Sequence, residues 1–374
     1  MSASNVAPST ITMIDRIVVL SVVPSPYQRD VFAALAARLP GRLKVFYFEQ
    51  TPPDSPWPAP ALQSWETILP GRIVNWRGGR SHINRDLPSP ASDEFWIVNG
   101  AMTDLATQRA FRRLGRRHAW AFWGELPSTP TSVFKKWLQR LQYRPLRHAR
   151  FIAAVGSRAV AAYQRLLPGT PVLNRPYACD LQAFARPDPT SPREEGVTFL
   201  FCGQMIARKG FDVLLRAFAT VISQIPSAKL ILVGRETELT AGIDQLPVTM
   251  RAQVENAGFQ PPPALPAFFA RADVFVLPSR HDGWGVVVNQ AFGAGLPVIV
   301  TTAVGAGELV ADGAAGTTVP PGDEAALASA MIDLANDPAR RNRMSKAAQN
   351  IAPSLTPEVA ADFWITHARL KPIP

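Results

Sequence analysis

Two segments of this chain carry residues suited to holding an elongated anion. Asp282 precedes a Gly283-Trp284-Gly285 turn, and Gln290 follows after seven intervening residues. The glycines permit a close backbone approach, and a helix predicted over 286–294 would direct its N-terminal amides at the same place. Asp282 and Gln290 could then reach different parts of one ligand, which would have a charged middle and hydroxyls at both ends. A nucleoside diphosphate sugar has that form.

The second segment, residues 199–218, predicts a strand, a glycine turn and an amphipathic helix. Arg208, Lys209 and Gly210 stand at the start of that helix. The forked Arg guanidinium and the Lys point charge together suit a diphosphate without a metal ion. Taken alone, such a basic pair is more typical of a solvated helix start.

Both segments resemble the retaining glycosyltransferases of family 4, the glycosyl transferases group 1. That family shows a pattern close to E-G-F-G-x-x-x-x-E-A, and here Asp282 and Gln290 replace its two glutamates. In the family the first acid contacts the hydroxyls of the donor sugar and the second contacts the ribose. Asp282 is shorter than glutamate, and Gln290 can still bond hydroxyls but carries no charge. The resemblance covers nearly all of residues 197–335.

The resemblance implies an α/β protein of the GT-B fold, in which two Rossmann-like domains face each other across a cleft. Residues 1–185 would form an N-terminal acceptor-binding domain, 186–196 a linker, and 197–356 a nucleotide-sugar donor-binding domain. A C-terminal helix at 357–374 would pack back on the first domain.

The elements that must position these residues follow from the hydrophobic pattern. In the N-terminal half, apolar strands are predicted at 17–23, 43–48, 95–98, 119–123 and 151–155. They alternate with helical stretches, the first at 30–38, which indicates a parallel sheet covered on both faces. Residues 1–12 are predicted to be disordered, and a Pro-rich loop is predicted at 51–60.

The resemblance also implies site residues. Arg208, Lys209 and Asp282 would be catalytic, with the two cations and the following helix N-terminus stabilising the departing diphosphate. The donor-binding residues would be Gly203, Arg208, Lys209, His281, Asp282, Gly283, Trp284, Gly285, Val286 and Gln290. Acceptor-side candidates are Ser25, Tyr27, Gln28 and Glu125, although Glu125 could instead cap the helix that follows it. No metal ion and no cofactor beyond the nucleotide sugar are expected, and His82 is predicted to be a surface or core residue.

The expected activity is transfer of a hexose from a nucleoside diphosphate sugar to a glycan or lipid-linked acceptor, in cell-surface or exopolysaccharide biosynthesis. The alternative is a GT-B protein that binds a nucleotide sugar without transferring it, which the replacement of both glutamates motivates. An epimerase or phosphorylase of the same fold is a further alternative, and the Arg-Lys-Gly segment argues against it.

Positive charge is concentrated in residues 101–150, which hold eleven Lys or Arg against two acids in a chain of net charge +10. An apolar set recurs there at helical spacing beside basic residues: Phe134, Trp137, Leu138 and Leu141 beside Lys135, Lys136 and Arg140. Such a helix can lie on an anionic membrane, or its apolar face can pack in the core. No nucleic-acid-binding module accompanies the charge. We therefore predict an anionic membrane surface as the partner of residues 109–150, because a lipid-linked acceptor lies there.

Length and composition fit this interpretation. A chain of 374 residues suits two domains, and a hydrophobic content of 47% indicates a globular protein. The isolated Cys179 and Cys202 argue against a disulfide framework and indicate a reducing compartment. The sequence shows neither a long apolar stretch nor the basic start of a secretory signal. The expected location is cytoplasmic, with peripheral attachment to the inner face of the plasma membrane.

Overall fold

The computed structural model describes residues 14–51, 59–76, 79–84, 86–185, 196–237, 240–310 and 312–370. Three sequence predictions lie outside these residues: disorder at 1–12, most of the loop at 51–60, and the linker up to residue 195.

The N-terminal domain is built on a parallel sheet of seven described strands. Its order is β3-β2-β1-β6-β7-β8-β9, and an antiparallel hairpin of β4 and β5 lies outside the sheet. The strands are β1 (Arg16–Ser21), β2 (Leu43–Tyr47), β3 (Glu66–Ile68), β4 (Arg72–Trp76), β5 (Gly79–Ile83), β6 (Glu94–Val98), β7 (Ala119–Gly124), β8 (Phe151–Ala154) and β9 (Val172–Asn174). The α-helices are α1 (Pro26–Arg38), α2 (Leu105–Leu114), α3 (Val133–Tyr143) and α4 (Ser157–Leu166).

The C-terminal domain has a second parallel sheet of six described strands, in the order β12-β11-β10-β13-β14-β15. The strands are β10 (Thr198–Cys202), β11 (Lys229–Val233), β12 (Val254–Gly258), β13 (Val274–Leu277), β14 (Val298–Thr301) and β15 (Gly316–Val319). The helices are α5 (Phe211–Gln224), α6 (Ala241–Asp244), α7 (Val248–Arg251), α8 (Leu265–Arg271), α9 (Val286–Gly293), α10 (Glu324–Asn336), α11 (Pro338–Ile351) and α12 (Pro357–Ala368).

The central strands are continuous apolar runs because helices cover both faces of each sheet. All four residues of β13, for example, are fully buried. The strand order reverses between β10 and β13 in the second sheet. Ligands of open parallel sheets bind outside the carboxyl ends of the strands at such a reversal.

The last helix, α12, packs on the N-terminal domain. Trp364 of α12 is fully buried, with its ring centroid 5.6 Å from that of Trp123 and 6.0 Å from that of Phe151. Arg38 at the end of α1 pairs with Asp362 at 3.0 Å. The chain therefore closes on the first domain after completing the second.

Two local features differ from the sequence predictions. Helix α1 begins at Pro26 and not at residue 30, because proline fits the first turn of a helix, where its missing N–H has no partner to lose. The β4–β5 hairpin was not predicted. The Ile73, Val74 and Ile83 side chains of the hairpin are exposed. In these strands apolar residues therefore do not mark a buried face, and the sequence lacks the clear apolar–polar alternation from which a strand is predicted.

Candidate active site

Lys209 and Asp282 meet at the carboxyl ends of β10 and β13. Because these strands are neighbours, the loop before α5 and the loop before α9 lie side by side. The Nζ atom of Lys209 is 2.5 Å from Oδ2 of Asp282, and both side chains are largely buried. The structure thus brings together two residues that the sequence analysis took from separate motifs.

Gly210 makes this approach possible. It adopts a left-handed conformation at φ +72°, and a Cβ added to it would lie 1.9 Å from the carbonyl oxygen of Pro278. No side chain can occupy that space. The glycine of the Arg-Lys-Gly segment therefore holds the first loop directly against the end of β13.

Arg208 and Arg280 tie the two loops together. Arg208 Nη1 donates to the carbonyl of His281 at 3.1 Å, and its own carbonyl accepts from the Arg280 amide at 2.8 Å. The Arg280 fork binds both carboxylate oxygens of Asp212 at 2.6 and 2.7 Å, which lowers the pKa of Asp212. Arg280 therefore has a carboxylate partner, whereas the exposed Arg208 guanidinium bonds to a backbone carbonyl.

The turn after Asp282 contains one buried aromatic residue. Gly285 starts α9 in a left-handed conformation, with φ +90°. The Trp284 side chain is buried, and its indole N–H donates to Asn289 Oδ1 at 3.0 Å. Asn289 in turn donates to the carbonyl of Tyr177 at 2.8 Å. The indole N–H of Trp284 is therefore already paired within the protein, so a ligand at this turn would contact backbone atoms.

Gln290 has a polar atom that lacks a partner. Its Oε1 is shielded from solvent and accepts no hydrogen bond within the described part of the chain, and the same holds for the hydroxyl of Ser279. An acceptor left unpaired in this way has a free-energy cost that a ligand hydroxyl can remove. The sequence analysis did not include Ser279 among its candidate residues.

The remaining donor-side candidates are less constrained. His281 is exposed, and Val286 is the first residue of α9. A Cβ added to Gly203 would meet nothing closer than 3.6 Å, but the carbonyl of Gly203 lies against Gly234, where an added Cβ would be 1.8 Å away. The close backbone approach at this end of the sheet therefore requires Gly234.

The four acceptor-side candidates share one cavity of about 330 Å³ in the N-terminal domain: Ser25, Tyr27, Gln28 and Glu125. Gln28 is engaged in a network, accepting from Ser21 and donating to Asn99 Oδ1 at 3.0 Å. Burial, helped by the charge of Glu125, raises the pKa of Tyr27 to about 12. Its hydroxyl therefore stays protonated at neutral pH, as an ordinary tyrosine does.

Glu125 joins the two domains at the cleft. Its Oε1 accepts from the Tyr177 hydroxyl at 2.8 Å, and a Cβ added to Gly283 would lie 2.6 Å from its Oε2. The carboxylate therefore touches the backbone beside Asp282. The alternative that Glu125 caps α3 is wrong, because Ser132 holds that position and accepts from the Lys135 amide.

A second interdomain contact was missed by the sequence analysis. Glu308 Oε2 accepts from the backbone amide of Ser157 at 2.6 Å and from its hydroxyl at 2.5 Å. Ser157 is the first residue of α4, so the carboxylate of one domain binds the helix N-terminus of the other. Arg158 adds a bond to the Thr302 carbonyl at 3.1 Å. These contacts join the two domains on one side of the cleft.

Helix α3 leaves its apolar face in solvent. Phe134 and Trp137 are 67% and 55% exposed, and Val133, Leu138 and Leu141 are also exposed. The alternative that this face packs in the core is therefore wrong. No helix in the described ranges has the length and hydropathy to cross a bilayer.

Comparison with known proteins identifies the second domain. Residues 196–337 match the model of the glycosyl transferases group 1 family. The C-terminal domain is a glycosyl transferases group 1 domain. The chain is also 32% identical over 220 residues to a GDP-mannose-dependent alpha-(1-6)-phosphatidylinositol monomannoside mannosyltransferase of Mycolicibacterium smegmatis, and the match covers 54% of each protein. The alignment therefore spans about half of that relative.

Solved structures resemble this protein over both domains and not only over the group 1 domain. The sucrose-phosphate synthase of Thermosynechococcus elongatus superposes with a TM-score of 0.67 at 18% identity, covering 95% of this chain and 98% of that one. WaaG, a glycosyltransferase involved in lipopolysaccharide biosynthesis, gives 0.60 at 17% identity, covering 93% and 99%. The protein has the GT-B fold, as the resemblance predicted.

Proposed function

We propose that this protein is a retaining glycosyltransferase that moves a hexose from a nucleoside diphosphate sugar to a glycan or lipid-linked acceptor. One observation carries the proposal: Glu125 of the first domain touches the backbone of Gly283, next to the Lys209–Asp282 pair of the second. A donor held at that pair would therefore have its sugar at the mouth of the acceptor-side cavity.

The donor diphosphate would take the place beside Lys209, Arg208 and the N-terminus of α9. Two cations and the positive end of the α9 dipole, fixed before the reaction, would stabilise the negative charge that grows on the leaving group. We expect these groups to supply the positive charge themselves, so that transfer is independent of a metal ion. Asp282 would then exchange its bond with Lys209 for bonds to sugar hydroxyls.

Retention of configuration requires no protein nucleophile in this arrangement. The acceptor hydroxyl would attack the face from which the diphosphate departs, and the departing phosphate oxygen would take its proton. The Oε1 atom of Gln290, which has no partner in the described part of the chain, would accept a hydrogen bond from a ribose hydroxyl. Glu125 and the protonated Tyr27 would position the acceptor from the other side of the cleft.

The acceptor class is proposed from the relatives together with helix α3. The mannosyltransferase acts, by its name, on a phosphatidylinositol mannoside, and WaaG takes part in lipopolysaccharide biosynthesis. The exposed apolar face of α3, beside Lys135 and Lys136, suits the boundary between headgroups and acyl chains. We therefore place the enzyme on the cytoplasmic face of a membrane, in the assembly of a cell-surface glycan.

A binding protein without transferase activity is the second candidate. It is motivated by the shorter Asp282 and the neutral Gln290, which stand where the family has glutamates. Calorimetric titration with a panel of UDP- and GDP-sugars, followed by assay of released nucleoside diphosphate, separates the two. Binding with release supports the transferase, binding without release under any acceptor supports the second candidate, and absence of binding contradicts both.

A further inference from the structure

A basic cavity of about 670 Å³ lies beside the acceptor-side cavity, on the N-terminal domain. It is enclosed by the segment 127–130, helix α3, the turn that follows α3, and the C-terminal end of α4. Four cations line it: Lys136, Arg140, Arg147 and Arg165. None of its lining residues is acidic.

These cations are not neutralised by the protein. Within the described ranges, none of the four forms an ion pair with a carboxylate, in contrast to Arg29, Arg80, Arg216 and Arg280, which all do. Like charges gathered around one cavity repel each other, and the repulsion is relieved when an anion enters. Arginine forks match phosphate oxygens in pairs, so a phosphate group is the best fit.

The position of the cavity on α3 indicates where this phosphate comes from. Lys136 and Arg140 lie one turn apart on the side of the helix that faces the cavity, and Phe134, Trp137 and Leu141 occupy the adjoining exposed side. An apolar chain leaving the cavity therefore meets an apolar surface. Inorganic phosphate has no apolar part that could contact this surface, whereas a phosphate attached to a lipid carries an apolar chain that could.

The cavity also adjoins the acceptor-side cavity of the candidate active site. Pro127 and Ser128 line both this cavity and the one that contains Tyr27 and Glu125. Gln139 of α3 donates to the Ser128 carbonyl at 2.7 Å, which fixes this shared wall. A group attached to a phosphate in the basic cavity can thus extend over residues 127–128 towards Glu125.

We infer that the basic cavity binds the phosphate or diphosphate of a lipid-linked acceptor and so presents the attached sugar to the donor. This inference rests on the proposed function and narrows it to acceptors whose sugar is joined to a lipid through phosphate. In this arrangement the protein selects the lipid by its phosphate group, and the apolar face of α3 contacts the surrounding membrane.

The test uses vesicles and charge-matched variants of the full chain. Arg147→Gln with Arg165→Gln removes two cations from the cavity and leaves α3 untouched. Lys44→Gln with Arg72→Gln removes two exposed cations of the same domain that lie outside residues 109–150, and serves as the control. Each protein is titrated with phosphatidylcholine vesicles containing polyprenyl phosphate, with vesicles containing phosphatidylglycerol at equal negative charge, and with inorganic pyrophosphate.

We expect the wild type and the control to prefer polyprenyl phosphate vesicles, and the cavity variant to bind them about tenfold more weakly. The inference is overturned if the cavity variant binds them like the wild type, if it loses as much affinity for phosphatidylglycerol, or if pyrophosphate alone binds equally well. Titration with UDP- and GDP-sugars runs in parallel. If the wild type binds none while the lipid preference persists, the proposed function fails and the phosphate site stands.

Discussion

Lys209 and Asp282 lie 73 residues apart in the sequence and form an ion pair with 2.5 Å between Nζ and Oδ2. The pair exists because β10 and β13 are neighbours and because Gly210 lets the first loop contact the end of β13. It defines the point where we expect diphosphate and sugar to meet.

Loss of the two cations at this point should weaken donor binding. We expect Arg208→Ala with Lys209→Ala to lower the affinity for the nucleoside diphosphate at least about tenfold, since a hydrogen bond to a charged group contributes about 1.5–3 kcal/mol. Calorimetry measures the change. Arg343→Ala, on an exposed part of α11, is the control and should bind as the wild type does. Unchanged affinity in the double variant would refute the phosphate assignment.

Gln290 should matter for nucleotide binding and not for folding. Gln290→Leu removes a shielded acceptor that has no partner among the residues the structure describes, so we expect the melting temperature to stay or rise while nucleoside diphosphate affinity falls about three- to tenfold. Differential scanning fluorimetry and calorimetry give the two readouts. A fall in melting temperature with unchanged affinity would make Gln290 a structural residue.

The contact between Glu308 and Ser157 should hold the two domains together. Glu308→Ala leaves the N-terminus of α4 without its acceptor, at a cost of about 1 kcal/mol, and we expect a larger radius of gyration in small-angle scattering. Glu324→Ala is the control, because Glu324 pairs with Arg216 inside the second domain. Equal radii for the two variants would show that this contact does not control the cleft.

His82 should make stability depend on pH. Burial disfavours its charge, but the bond to Asp104 at 2.5 Å and the nearby Glu49 outweigh this and raise its pKa above the ordinary 6.5. A raised folded-state pKa gives a stabilisation that is complete below pH 6.5 and is lost as pH rises through the folded value. We expect the melting temperature to fall over that range in the wild type and to be flatter in His82→Gln. His148→Gln should behave as the wild type, and equal slopes in all three would contradict the role of His82.

The apolar face of α3 should carry membrane binding. Phe134→Ser with Trp137→Ser removes its two aromatic side chains, both exposed, so folding should be unaffected and sedimentation with anionic vesicles should decrease severalfold. Val248→Ser, at a residue of the second domain that is 79% exposed, is the control. Sedimentation of the double variant at the wild-type level would refute the membrane surface.

The sequence predicted the second domain better than the first, and the reason is physical. Asp282, Gly285 and Lys209 belong to short loops between apolar strands, where spacing along the chain determines what meets at the sheet edge. The contacts of Glu125 with Gly283 and of Glu308 with Ser157 depend instead on how two domains pack, which no local pattern records. Glu308 lies inside a segment matched to the family, yet its partner is 151 residues away.

The ionisable cluster around His82 could not be predicted for the same reason. Its members come from the end of β2, from the hairpin and from the N-cap of α2. Only the assembled sheet brings Glu49, His82 and Asp104 within bonding distance.

The most direct measurement is release of nucleoside diphosphate from the bound donor, with and without a lipid extract containing phosphate-linked glycans, in wild type and Asp282→Asn. The account predicts slow release by the wild type alone, faster release with the extract, and a loss of at least about tenfold in the variant, since it removes a charge-assisted contact to the sugar. A wild-type protein that binds the donor and releases nothing with any acceptor, or an Asp282→Asn variant as active as the wild type, would contradict it.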